Sequence, residues 1–300
     1  MPNPSDPQAL SRYTYVRNNP VMMIDPTGHV YDRWADCDHT ITDDKGQATT
    51  TYLNPNGGNF NQADCWKYNQ ERQILLAGGV SENVLSEARQ DTEGLLLTLT
   101  SVFGIWMHPD IGASFSWKEA RAATIAFAQI ARTLARALGG NDDWVVDHAT
   151  QVFSAVFGGS EVYKEPGMNV PGNADASAFV LGRVMFLFSK DAADPDLYIH
   201  EFGHIFDNII TGKVFNDDNT ITGPFINAGI KQGYFAKSSS SEGYLKRYGQ
   251  STYYYSEQAA DMFYAFVTGN FDSRTPAGQY RWITMMNNMP KWVGKFYTYP

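Results

Sequence analysis

Two histidines spaced four residues apart constrain the fold of this chain more than any other feature. His200 and His204 enclose the segment Glu201-Phe202-Gly203, and the surrounding residues 197–206 are mostly apolar. Residues i and i+4 lie above one another on one face of an α-helix, so a helix would bring the two imidazoles together. The pattern therefore predicts a helix. Gly203, a poor helix former within it, indicates close packing or room for a ligand.

The same residues predict a metal site. Two imidazoles in this arrangement can bind one Zn²⁺ at about 2.0–2.1 Å. Glu201 follows the first histidine and points toward the same space, where it could take a proton from water at the metal. We therefore expect His200 and His204 to be metal ligands and Glu201 to be a general base. The alternative is a helix that carries two surface histidines and no metal.

A third ligand must come from elsewhere, because a catalytic zinc needs three protein ligands and an open position. No histidine follows His204, and Asp207 and Ile210 occupy the positions where a Gly and a third His would extend the motif. An acidic ligand is therefore expected.

The segment 255–263 offers an acidic ligand, because its apolar spacing predicts a helix with Ser256 as a cap. Glu257 and Asp261 are spaced i and i+4 and would share one face of that helix. We expect Glu257 to bind the metal and Asp261 to accept a hydrogen bond from a ligating histidine. The alternative is the polar start of a helix with capping acids.

Composition excludes several classes of function. The chain has 300 residues, of which 43% are hydrophobic, enough for a sizeable core, and its net charge is -9. This charge, without any basic run, argues against a nucleic-acid partner. No apolar stretch is long enough to span a bilayer. Residues 1–19 are polar and do not form a signal peptide, so we expect any export to depend on something outside this chain. Cys37 and Cys65 could pair in an oxidising compartment, and their spacing does not favour a zinc site.

Periodicity predicts a mainly helical α+β fold with a small mixed sheet. Helices are expected over residues 81–99, over 117–138, and from a cap at Asp142-Asp143 to residue 156. Residues 30–78 read as an irregular linker or a small hairpin, with a weak strand signal at 48–53. The run 180–188 has strand character, and Asp194-Pro195-Asp196 is expected to begin the histidine helix.

A specific motif lies near the start of the chain. Residues 10–20 read LSRYTYVRNNP, and residues 25–28 read DPTG. This string resembles the motif that closes the core of RHS/YD-repeat proteins, where a variable C-terminal domain, often a toxin, follows. The resemblance implies that residues 1–29 are a core tail and that a cut falls close after His29, which stands where the family usually has an apolar residue. It further implies delivery outside the cell by a parent RHS protein with an upstream shell, and an immunity protein as partner.

The later motifs resemble a second family. A strand followed by the H-E-x-x-H helix resembles the layout of zincin catalytic domains, in which an edge strand pairs with an extended substrate. The later Glu257 and Asp261 resemble the gluzincin pattern, and residues 248–266 are similar to the same region of anthrax-lethal-factor-like peptidases. In those peptidases a tyrosine followed by glycine helps to stabilise the oxyanion. Tyr248 matches through its following glycine, and the alternatives are the tyrosines at 253, 254 and 255.

These resemblances together imply a zinc-dependent endopeptidase that acts on a protein or peptide. The expected organisation is a core tail at 1–29, a linker at 30–78, a helical subdomain at 79–160 and a zincin-like catalytic domain at 161–300. The alternative function is a non-catalytic cargo or surface adhesion module with a structural zinc.

Overall fold

The computed structural model describes residues 38–42, 48–52, 62–81, 84–85, 92–112, 114–165, 177–188, 193–213, 220–234 and 255–298. The chain divides into two compact units, residues 1–65 and residues 66–300. The RHS-like segment and its predicted cut after His29 lie outside the described residues, as does Tyr248. The predicted boundaries at residues 29, 78 and 160 therefore stay predictions.

The first unit contains an antiparallel hairpin. Strand β1 (Asp38–Thr42) pairs with β2 (Ala48–Tyr52), with Asp38 opposite Tyr52 and Thr42 opposite Ala48. Both strands are rich in threonine, a β-branched residue that suits a pleated strand. The hairpin interpretation of this region is therefore correct.

Helix α1 (Gln62–Ala77) lies where the sequence was interpreted as irregular. That interpretation is wrong for these residues. The helix carries only a weak apolar stripe, because charged and amide side chains interrupt it, and periodicity therefore gives little signal. Cys65 belongs to this helix, but its side chain and Cys37 lie outside the described parts, so their pairing stays a prediction.

Three helices form the centre of the second unit: α2 (Thr92–Phe103), α3 (Trp117–Ala137) and α4 (Asp142–Phe157). A reciprocal capping box between Ser116 and Glu119 begins α3. Asn141, rather than the predicted Asp142-Asp143 pair, caps α4 through the backbone N–H of Trp144. Aromatic rings fill the space between these helices, with Phe103, Phe127 and Phe153 in mutual contact.

A mixed four-stranded sheet has the order β3-β4-β6-β5. Strands β3 (Trp106–Gly112), β4 (Glu161–Lys164) and β6 (Val184–Leu187) are parallel, and β5 (Ala178–Leu181) runs antiparallel to β6 at the edge. The predicted run 180–188 is thus parts of two strands joined by a turn at Gly182-Arg183. Strand β3 was not predicted.

Helix α5 (Pro195–Thr211) carries both histidines. As predicted, it begins at Asp194, whose side chain accepts a hydrogen bond from the backbone N–H of Asp196, and it has Pro195 in its first turn. It ends at Gly212, whose φ of 67° is left-handed, a conformation that glycine adopts without strain. Its apolar side packs into the aromatic core through Phe202.

The described part of this unit has three more helices: α6 (Gly223–Lys231), α7 (Tyr255–Thr268) and α8 (Pro276–Val293). Helix α7 begins at Tyr255, so Ser256 lies within its first turn and is not the predicted cap. Over its described residues the second unit is mainly helical with one small mixed sheet, as the sequence predicted. None of the helices in the described part of the chain has the length and apolarity to cross a bilayer.

Candidate metal centre

His200 and His204 on α5 meet Glu257 on α7. One potential ligand atom from each of these three residues lies within 4.8 Å of the others. Among the described residues, this is the one group of three or more His, Cys, Asp or Glu side chains that could hold a metal ion. The structure therefore brings together the three side chains that the sequence proposed as ligands.

The distances within the group suit a small divalent cation. Nε2 of His200 lies 3.3 Å from Oε2 of Glu257, and Nε2 of His204 lies 3.5 Å from Oε1 of the same carboxylate. Ligands bound tetrahedrally at about 2.1 Å are separated from one another by about 3.4 Å. Two of the three separations thus match those of ligands on one small divalent ion, and all three ligand atoms lie within 4.8 Å of one another. Two imidazoles with one carboxylate are a donor set that zinc uses.

The group is buried on one side and open on the other. The His200 side chain is 3% exposed, that of His204 is 16% exposed and that of Glu257 is 34% exposed. A bound ion would therefore face solvent past Glu257 and His204. A catalytic metal needs such an open side, whereas structural sites are closed.

Asp261 lies behind His200 as predicted. Its Oδ1 is 3.0 Å from Nδ1 of His200, and its side chain is fully buried. A carboxylate at this distance fixes the ring orientation and the tautomer, leaving Nε2 free to bind a metal. Because Glu257 and Asp261 are spaced i and i+4, a carboxylate lies near each nitrogen of His200: that of Glu257 near Nε2 and that of Asp261 near Nδ1.

The two helices approach closely at Gly203. A Cβ atom there would lie 2.8 Å from Cα and 2.9 Å from the carbonyl oxygen of Ala260. Only glycine allows this approach, because these neighbours are backbone atoms. The contact lies beside both histidines and brings Glu257 within reach of them. The sequence anticipated close packing at Gly203 but gave no sign that Ala260 was the partner.

The charges at the centre favour a positive ion. Burial lowers the pKa of His200, but the Asp261 and Glu257 carboxylates raise it more, to about 10. Burial also lowers the pKa of His204, and the Glu257 carboxylate reverses this to a net rise. Burial raises the pKa of Glu257, yet the two histidines hold it well below its ordinary value. The carboxylates thus attract positive charge to the place where the three ligand atoms converge.

Glu201 is almost completely buried beside this group. Burial raises the pKa of its carboxyl; the two histidines lower it, and the Glu257 carboxylate raises it further. Its charge therefore interacts with all three candidate ligands, although it is not one of them. The role of Glu201 as a general base stays a prediction.

Helices α5 and α7 are each fixed to a neighbouring element by a side-chain hydrogen bond that the sequence did not predict. Tyr255 lies on α7, two residues before Glu257, and its hydroxyl donates a 2.6 Å hydrogen bond to Oδ1 of Asn227 on α6. Oδ1 of Asp207 accepts a 2.6 Å hydrogen bond from the backbone N–H of Ile221, just before α6. Both bonds connect distant segments, which sequence spacing cannot reveal.

The tyrosine predicted to stabilise an oxyanion stays a prediction. Tyr248, Tyr253 and Tyr254 lie outside the described residues. The hydroxyl of Tyr255 is bonded to Asn227 on α6.

An open groove of about 630 Å³ lies apart from this centre, lined by small and polar side chains that include Ser101, Thr150 and Ser154. It contains none of the residues named above as ligands or as their neighbours.

Comparisons with known proteins identified no relative of this chain. A scan of protein-family models found no match, and neither did searches of curated proteins and of solved structures.

Proposed function

We propose that this protein is a zinc-dependent endopeptidase with a zincin-like catalytic domain, acting on a protein or peptide. The observation that carries the proposal is the convergence of His200, His204 and Glu257 within 4.8 Å, beside the buried carboxylate of Glu201. A structural zinc site has no need of a buried, non-ligating carboxylate. A hydrolase needs one as a base.

Each side chain has a distinct task in this proposal. His200, His204 and Glu257 would hold the ion, and Asp261 would keep the imidazole of His200 in the binding tautomer. A bound Zn²⁺ supplies a Lewis acid that polarises a peptide carbonyl and acidifies water. Glu201 accepts the proton of the attacking water and returns it to the leaving amine.

The sheet offers a place for the substrate backbone. Strand β5 is an edge strand that runs antiparallel to β6 and packs beside α5. Within the described residues, no strand pairs with its outer edge. An extended peptide could add to this edge through backbone hydrogen bonds, which do not depend on sequence. Tyr248 is the proposed donor to the oxyanion, on the resemblance to lethal-factor-like peptidases.

The resemblance of residues 10–29 to the RHS closing motif supports the biological setting. The catalytic domain would be the toxin tip of a parent RHS protein, delivered outside the producing cell, and an immunity protein would protect that cell. The centre itself is independent of this setting, because it lies entirely within residues 66–300.

Glu201→Gln tests the proposal most directly, since it removes the base but no ligand. We expect the variant to bind zinc like the parent chain and to lose turnover of an unstructured protein such as casein by about a thousandfold or more. Glu257→Ala should instead lose the metal. Asp143→Asn removes an exposed carboxylate from α4 and should change neither property.

Metal content by mass spectrometry and cleavage by peptide mapping separate the outcomes. Near-normal cleavage by Glu201→Gln would refute the role of Glu201. A zinc-loaded parent chain that cleaves nothing, and whose melting temperature collapses on chelation, would favour the non-catalytic cargo or adhesion module with a structural zinc.

A further inference from the structure

A side-chain hydrogen bond joins the histidine helix α5 to the turn that follows strand β5. Nδ2 of Asn208 donates to the backbone oxygen of Gly182, which is 3.1 Å away and 26 residues earlier in the chain. Asn208 follows His204 at i+4, so the two side chains are neighbours on one face of the helix. The bond therefore lies about one helical turn, or about 6 Å along the axis, from a proposed metal ligand.

The turn at Gly182 determines where the whole of β5 lies. Gly182 and Arg183 alone connect β5 to β6, and the φ of 63° at Gly182 suits a tight hairpin turn. Leu181 pairs with Val184 directly across this turn. In a hairpin this short the turn fixes the register, so a movement of the turn moves every residue of β5.

A second bond holds the same turn from another side. Nη1 of Arg183 donates to the backbone oxygen of Gly158, 3.0 Å away at the end of α4. Of the two bonds, that of Asn208 connects the turn to the helix of the histidines, and that of Arg183 does not. Because each bond supports the turn by itself, the hairpin should stay folded when either one is removed.

Strand β5 is the edge at which the proposed substrate backbone would pair. Of the two edge strands of the sheet, β5 packs beside α5, whereas β3 packs against α2. A peptide that adds to β5 takes its position from the backbone groups of that strand. Its scissile carbonyl reaches the metal centre only if β5 keeps a fixed position relative to the histidines.

We propose that Asn208 is a positioning residue, which places a peptide on β5 against the metal centre by fixing the turn of β5 to α5. The inference rests on the proposed peptidase function, and it concerns the placing of the substrate rather than the metal or the base. Without this bond the peptide would still pair with β5, but its carbonyl would leave the productive position. A misplacement of about 1 Å can slow a reaction about 100-fold. The loss should therefore appear in kcat more than in KM.

Asn208→Ala and Arg183→Ala are a matched pair, because each removes one side-chain bond to the same turn. In hydrogen exchange of the full chain, the amides of residues 178–187 should exchange about fivefold faster in both variants. Turnover is measured with saturating zinc on a quenched fluorescent peptide that spans the main site cut in casein by the parent chain. We expect Asn208→Ala to lower kcat about 10–100-fold with little change in KM, and Arg183→Ala to leave both near the parent values. Asn208→Gln keeps a donor and should recover part of the rate.

Zinc affinity, measured by competition with a chelator, should be the same in all three variants, because the ligands and Asp261 are unchanged. The inference is overturned if Asn208→Ala turns over the peptide like the parent chain or if its loss lies in KM. It is equally overturned if Arg183→Ala loses as much kcat, or if zinc affinity falls together with kcat. A parent chain that binds zinc and cleaves no casein would refute the proposed function and this inference together.

Discussion

Gly203→Ala is the substitution that most directly tests how the metal centre is built. The added Cβ would lie 2.8 Å from Cα and 2.9 Å from the carbonyl oxygen of Ala260, where ordinary contact begins at 3.4 Å. These are backbone atoms and cannot rotate away. Helices α5 and α7 must therefore separate by at least about 0.6 Å, or the helix backbone must distort.

The cost to folding should be moderate. Overpacking of this kind costs about 1–3 kcal/mol. Replacing a glycine with alanine inside a helix stabilises the folded state by about 1 kcal/mol, which offsets part of this cost. The free energy of unfolding of the metal-free chain should consequently fall by about 2 kcal/mol or less.

The cost to metal binding should be larger. Metal–ligand distances tolerate errors of about 0.2 Å, and the expected shift moves Glu257 away from His200 and His204 by more than that. Asp261 moves with the same helix and loses its contact with His200. We expect zinc affinity to fall at least about 100-fold, since a change behind a single ligand already costs about 10–100-fold.

Gly78→Ala provides the matched control. Its Cβ would lie 2.6 Å from both Cβ and the carbonyl oxygen of Ala128, so the clash is at least as severe, but neither residue lies on a helix that carries a ligand. Zinc affinity is measured by competition with a chromophoric chelator, and stability by melting in chelator. Unchanged zinc affinity in Gly203→Ala would refute the argument, as would an equal loss in the control.

Three further predictions address the neighbours of the centre. Asp261→Asn keeps an acceptor for His200 but removes the charge, so zinc affinity should fall by about 10–100-fold, less than in Glu257→Ala, in the same competition assay. Tyr255→Phe and Asn227→Ala should each cost about 1 kcal/mol in urea unfolding, and the double variant little more, because both remove one hydrogen bond. Burial raises the pKa of Asp207 from 3.8 to about 6, opposed by the Ile221 N–H and His204. Its ionisation therefore destabilises the fold above that pH by up to about 3 kcal/mol. Asp207→Asn should be more stable than the parent chain at pH 7, and this advantage should shrink as the pH falls from 6 to 4 and vanish below it; an advantage independent of pH would contradict the assignment.

The sequence predicted the elements whose signals are local. Helix α5 was recognisable from its Asp194-Pro195 start and its apolar repeat, and the helix of Glu257 from its own apolar spacing. Helix α1 gave no such signal, because polar side chains interrupt its apolar stripe. Strand β3 was missed for a related reason. It has only a few apolar residues and is specified by pairing with β4, which lies about fifty residues later.

The contacts between helices could not be predicted from the sequence, because each depends on two segments that meet only in the folded protein. Gly203 indicated a close approach, but nothing near it identified Ala260 as the partner. The bond from Tyr255 to Asn227 likewise joins residues 28 positions apart. Spacing can predict which side chains share a face, but it does not predict which two faces will meet.

The two helices of the centre nevertheless repeat one arrangement. On α5, with His200 as position i, the small residue Gly203 is at i+3 and His204 is at i+4. On α7, Ala260 occupies i+3 after Glu257, and Asp261 occupies i+4. Residues at i, i+3 and i+4 share one face, so each helix turns two functional side chains and one small residue toward the other.

The small residues meet in the middle, and the functional groups converge around them. A bulky residue at either small position would hold the helices apart, and the carboxylates of α7 would then fall short of the imidazoles of α5. We infer that the small residue between the two functional positions is as necessary to this centre as the ligands themselves. The pattern to seek in a sequence of this kind is therefore a pair of matched triplets at i, i+3 and i+4, each with a small residue at i+3, rather than the histidine motif alone.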